Sequence, residues 1–337
     1  MKPQRLLLLA SIFVVSSPFA HATNAVTDPV GYQATSIPIG FTALANPLVN
    51  ADVVRTSASA NTTSVVTLSS ISNAGSLLTA GDPYYLEVVS GASEGDRFDL
   101  DTAATIAAAN DTVVVNTASA NNTASLSANS LNGSTVAVRK HVTLDQLQSY
   151  FSPALIGNNN PVNADQIQTF NPGTGAFTTY FLRGNGTEWR ASGSTNNASK
   201  VAIAPGVGFL VRKLTSPSTF TSVGTVRMND FSFPMPQGST FRAPGFPVSY
   251  SPASLGGNVS NGWIGNNNPA NADQLQVFNP VTGAFTVYSL RGNGTEWRAV
   301  GSTNNVTASQ LFADNAPFMV LKRQADTNYF LINPVVQ

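Results

Sequence analysis

The apolar residues of this chain fall in short runs rich in aromatic and β-branched side chains, separated by clusters of Asn, Gly, Pro, Ser and Thr. Residues 166–170 and 177–182 are two such runs. Between them lies Asn171-Pro172-Gly173-Thr174-Gly175, a loop of turn formers, and Gly184-Asn185-Gly186 supplies a second reversal into 188–191. Short runs bounded by turn residues predict an antiparallel meander. Pro172 cannot donate to a strand ladder, so it belongs to the turn. Residues 207–212 and 219–226 predict two further strands.

The meander occurs twice. Residues 156–198 match 264–306 at a constant offset of 108, with 35 of 43 positions identical. Both copies read I-G-N-N-N-P-x-N-A-D-Q, then F-N-P-x-T-G-A-F-T-x-Y, then L-R-G-N-G-T-E-W-R-A. After a one-residue slip, 208–213 falls opposite 317–322. A duplicated folding unit is the economical explanation. Differences between copies gather on alternate positions, Ile167/Leu275 with Thr169/Val277 and Thr179/Val287 with Phe181/Ser289, as strands require. They leave open which face is buried.

Similar lead-ins, 36–49 and 233–248, precede the two meanders. The expected organisation is a first β module over 23–226, carrying a β-rich insertion at about 51–140, and a second over 227–337. Strand-like runs in the insertion are 65–68, 84–89, 112–115 and 135–139. Helix is scarce: Thr143-Leu144-Asp145-Gln146 has capping-box form and predicts one short helix with Leu144, Leu147 and Phe151 on one face, and 307–312 is its weaker counterpart. The fold class expected is all-β, two related antiparallel modules, sandwich-like or open barrels.

The N-terminus changes where this fold is expected to work. Lys2 and Arg5, the apolar run 6–15 and Ala20-His21-Ala22 have the order of a cleaved signal peptide over 1–22. The run is shorter than the roughly 20 apolar residues of a membrane anchor, and no later segment reads as a span. Export to the periplasm, cell surface or medium is expected. The chain has 17 basic and 17 acidic residues; losing Lys2 and Arg5 leaves 15 against 17, a net charge near −2. No basic patch invites nucleic acid. With no Cys, a buried core and not disulfides must hold the fold.

Candidate chemistry is sparse. After signal removal His141 is the single histidine, no G-x-S-x-G elbow exists, and a Ser-His-Asp triad is not expected. His and Cys metal sites lack ligands. Calcium takes oxygens, and Glu94, Asp96, Asp99 and Asp101 crowd four acids into eight residues; a solvated acidic strand is the competing reading. Glu188 and Glu296 beside Trp189 and Trp297 suggest sugar-binding strands with tryptophan as stacking platform, against half-buried strands with core tryptophans.

Several segments occur in an order that carries a resemblance: Val30-Gly31-Tyr32, the lead-in 40–48, Tyr84 to Val88 with Ser90-Gly91-Ala92, Arg139 to Leu144, Ala164-Asp165, and Gly206 to Arg212. Together they resemble a paralogous family of uncharacterised, signal-bearing secreted proteins of Verrucomicrobia-type bacteria. The resemblance implies export and brings no assigned catalytic residue. The expected role is a non-catalytic structural or interaction protein outside the cell. Its partners would be copies of itself or envelope and extracellular polysaccharide, and the alternative is a carbohydrate-binding protein.

Overall fold

The computed structural model describes residues 29–324, 328–331 and 333–334; the signal-like segment 1–22 lies outside them. The fold is mostly β and antiparallel throughout. Among the described residues two α-helices accompany the strands, Thr102–Ala108 and Leu144–Gln148. No helix among the described residues is long and apolar enough to cross a membrane.

Each repeat builds a five-stranded sheet. In the first, Gln166–Asn171 pairs with Ala176–Leu182, which pairs with Trp189–Ala191. On the other side Gln166–Asn171 pairs with Gly208–Lys213, and that strand with the lead-in Gly40–Ala45. The second repeats this order with Gln274–Asn279, Ala284–Leu290, Trp297–Ala299, Phe318–Lys322 and Gly238–Arg242. Gly40 and Gly238 open the two lead-in strands at φ of +103° and +101°, where a side chain would be strained. Both pair with the lysine that ends the partner strand, Lys213 and Lys322.

Those lysines explain the sheets' shared geometry. Lys213 Nζ donates to Asp165 Oδ2 at 2.5 Å, and Lys322 Nζ to Asp273 Oδ2 at 2.6 Å; all four side chains are buried. Each aspartate also accepts two backbone N–H groups, Ile156 and Leu214 in one copy, Ile264 and Arg323 in the other. A buried carboxylate is tolerated when it is paired with a cation and both of its oxygens accept hydrogen bonds.

One face of each sheet covers its own core. Ile167, Leu182, Trp189, Phe209 and Val211 belong to the first, and Leu275, Leu290, Trp297, Phe318 and Val320 to the second. The opposite faces meet each other. Phe170, Phe177, Phe241, Phe285 and Phe278 form a chain of ring contacts between 5.2 and 6.1 Å, packed with Leu210 and Met319. The sheets approach closely enough that a Cβ on Gly208 would sit 2.3 Å from Pro317.

The segment between Asp52 and Lys140 makes a six-stranded sheet with its own core, including Leu68, Leu86, Phe98, Val113 and Val138. A buried polar joint pins it to residues 227–232. Glu87 takes Arg139 Nε at 3.0 Å on one oxygen and Arg227 Nε at 3.1 Å on the other. Arg97 Nη2 donates to Ser232 O at 2.7 Å, and the Arg97 and Arg227 guanidiniums lie 4.1 and 4.6 Å from the Phe231 ring centroid. Burial alone would raise the Glu87 pKa; Arg227, Arg139 and Arg97 outweigh it and hold the carboxyl below its ordinary value.

Local expectations met mixed outcomes. Thr143 caps Leu144–Gln148, with Leu144 and Leu147 buried, but Phe151 lies in the next strand and not on the helix. Residues 307–312 form turns and an isolated bridge from Phe312 to Tyr250, not a helix. The helix Thr102–Ala108 was not foreseen: Asp101, expected on a solvated strand, accepts from Ala104 N and caps it.

Removing one partner of a buried ion pair leaves a naked charge and typically costs about 3–5 kcal/mol. Lys213→Met and Lys322→Met should each lose stability on that scale in urea denaturation. Adding Asp165→Asn to Lys213→Met should restore a large part of it; equal losses in single and double variants would contradict the pairing.

Candidate ligand-binding cleft

The four residues expected at a sugar site do not form one. Trp189 and Trp297 are 0% exposed. Their indole N–H groups donate inside the protein, to Gln148 Oε1 at 3.0 Å and to Gly257 O at 2.5 Å. The stacking-platform expectation is therefore corrected: a ring with both faces in the core has none to offer a sugar. Glu188 and Glu296 pair with Arg190 and Arg298 two residues along the chain, at 2.6 and 2.7 Å. The period-2 geometry of a strand brings each pair onto one face.

The four acids offered to calcium also part company. Glu94 Oε1 accepts from Asp230 N, Asp96 Oδ1 from Thr123 Oγ1, and Asp101 from Ala104 N. Asp99 accepts from Ser119 Oγ at 2.7 Å and Asn121 Nδ2 at 3.0 Å on one oxygen, and contacts His141 Nε2 at 2.8 Å on the other. Among the described residues no group of three or more His, Cys, Asp or Glu could hold a metal. Each carboxylate is spent on a different protein donor, which corrects the expectation of a calcium cluster. Serine here bonds the aspartate and not the imidazole, so His141 cannot draw its proton.

Two of these acids, Asp96 and Asp99, anchor a wall through Thr123, Ser119 and Asn121. Residues 115–126 leave the six-stranded sheet and face Pro172 in the first repeat and Pro234-Met235-Pro236 of the second. Between them is a cleft of about 960 Å³, at the upper end of the range of small-molecule sites. Its walls mix hydroxyl and amide groups of Thr117, Ser119, Asn122 and Ser125 with apolar Val115 and Leu126.

Arg242 lines this cleft and an adjoining cavity of about 150 Å³. The residue is 7% exposed, its Nε is buried without an acceptor, and it has no ion-pair partner among the described residues. Burial brings its pKa down to about 10, still protonated at neutral pH. Ladder registers place Arg242 opposite Phe318 as Leu44 is opposite Phe209. In the first repeat that position is a core leucine, fully buried. The second repeat thus puts a cation where its twin has a hydrocarbon. Arg97, Arg139, Arg227, Lys213 and Lys322 each find a carboxylate or a carbonyl.

Sequence reasoning passed over Arg242 because the lead-ins align on either side of it. The available signal was a charge inside an apolar stretch, Phe241-Arg242-Ala243, in a chain with only 10% charged residues. No family model matches the chain, and no curated protein or solved structure is found similar to it.

Burial alone would raise the Asp99 pKa, but His141, Ser119 and Asn121 bring it to about 2. A carboxylate depressed by folding contributes stability above its unfolded pKa and loses it as pH falls toward the folded value. Unfolding midpoints should therefore drop between about pH 4 and 2, with Asp99 accounting for about 2 kcal/mol of the change. Asp99→Asn should flatten that descent in denaturant titrations; an unchanged slope would contradict this assignment.

Proposed function

We propose that the protein is a non-catalytic interaction protein that works outside the cell, a rigid set of β sheets whose cleft holds a ligand from the envelope or the medium. The observation that carries this reading is the convergence of three sheets on one large cleft with mixed polar and apolar walls. Walls fixed by separate cores keep the ordering cost of binding small. Export rests on the signal-like sequence of residues 1–22 and on the family resemblance. Carbohydrate is the ligand class that hydroxyl and amide walls beside prolines suit, now in the cleft and not at the tryptophans.

Retention of the chain from residue 23 onward on insoluble envelope polysaccharide tests this. Ser125 is an exposed residue of the cleft wall, so Ser125→Trp should fill the cleft, leave the melting temperature unchanged and cut retention several-fold. Undiminished retention would remove the cleft from the reading.

Lateral packing against further copies is a second reading, with one observation in its favour. On the edge strand Val30–Ile37, Tyr32 pairs with Val223, and both are exposed, at 71% and 51%. An uncovered apolar pair on a sheet edge is a pairing template. Sedimentation should show a dimer fraction that rises with concentration and falls in Tyr32→Lys; a monomer at every concentration would dismiss it.

A further inference from the structure

The Arg242 cleft has a chemical asymmetry that narrows its ligand. Arg242 is a donor only, positive and without a partner among the described residues. Ser119 and Thr123, on the facing wall, have given their hydrogens to Asp99 and Asp96. Ser119 Oγ also accepts from Asn121 N, and Thr123 Oγ1 from Arg97 N, which leaves each oxygen one lone pair. One side of the cleft therefore needs an anion, and the other needs hydroxyl donors. Pro234, Met235 and Pro236 add an apolar strip alongside.

We propose that the cleft binds a hydroxylated ligand bearing a carboxylate, of the sugar-acid or uronate-terminated oligosaccharide class, with the carboxylate on Arg242. The inference rests on the reading of the cleft as a binding site and adds the charge and donor pattern of what enters it. A guanidinium matches a carboxylate with two parallel N–H···O bonds. A ligand hydroxyl donates to Ser119, the more accessible of the two, and a sugar ring's C–H face lies on the proline strip. A polyanion fits poorly: among the described residues one cation lines the cleft, Asp96 and Asp99 stand behind the opposite wall, and the sequence without residues 1–22 carries a net charge near −2 (15 basic against 17 acidic).

The repeat supplies a variant expected to fold. Arg242→Leu installs the residue that the first repeat carries at the same ladder position, and replacing a buried unpaired charge with hydrocarbon raises stability. Calorimetric titration would use glucuronyl-xylobiose, its methyl ester, neutral xylotriose and inorganic phosphate at fixed ionic strength. The expected result is saturable binding of the uronate, at least tenfold weaker binding of the ester and of xylotriose, and loss of the uronate in Arg242→Leu with a raised melting temperature. Ser125→Trp should block all sugars alike.

Equal binding of uronate and ester, or uronate binding unchanged in Arg242→Leu, would overturn the carboxylate assignment while leaving a sugar-binding cleft. Phosphate matching the uronate would overturn the role of the hydroxyl wall. No binding of any sugar by the wild type would overturn this inference; the retention experiment with Ser125→Trp then decides the broader reading separately.

Discussion

The buried aspartate of each repeat is the constraint from which the rest of its geometry follows. Asp165 and Asp273 gather a lysine from the fourth strand, the backbone that follows that lysine, and the backbone nine residues before the aspartate itself. Three separate chain segments are thereby held at one point with no solvent to compete. The lysine's own strand is paired with the lead-in from a positive-φ glycine onward. Fixing that pairing fixes which residues face the core, because a one-residue slip would turn every side chain over. Trp189 and Trp297, at equivalent ends of the sheets, are buried as a consequence of the same register.

The six-stranded sheet is held by different means. Its joint to residues 227–232 is polar, with Glu87 shared between two arginines and Phe231 beneath two guanidiniums. A hydrophobic joint of the same size would be indifferent to small rotations, whereas hydrogen bonds between charged groups are directional. Such a joint sets where the loop 115–126 stands relative to Pro234 and Arg242, and so the width of the cleft. The unpaired arginine is affordable there because the surrounding sheets are secured elsewhere.

Much of this was legible in the sequence. Strand order within the meander followed from turn residues and the period-2 pattern, and the duplication from simple offset matching. The short helix at Leu144 followed from its threonine cap. Side-chain roles were less legible. Glu-Trp-Arg reads equally as a sugar platform or a core strand, because period 2 does not state which face is covered. The acidic run 94–101 reads as a cluster because sequence proximity hides that a helix start, a turn and a strand send its carboxylates to different partners. Lys213 and Lys322 stood in the aligned segments, but their bond to Asp165 and Asp273 crosses 48 and 49 residues. Arg242 stands out through the ladder registers, which give it the place opposite Phe318 that Leu44 holds opposite Phe209.

The phenylalanine seam has a consequence for how this protein changes over generations. Phe170 and Phe278, and likewise Phe177 and Phe285, are the same positions of two nearly identical sequence copies, yet they belong to opposite sides of one contact. A substitution copied from one repeat to the other would change both sides of the seam together, yet the ring contact that bridges the sheets joins Phe177 to Phe241, whose ladder counterpart in the first repeat is Ala43. Leu210 and Met319 lie outside the matching 43 residues and have already diverged. The paired rings on each sheet, Phe170 with Phe177 and Phe278 with Phe285, are therefore inherited as copies, whereas the contact that joins the two sheets depends on a residue that only one lead-in carries.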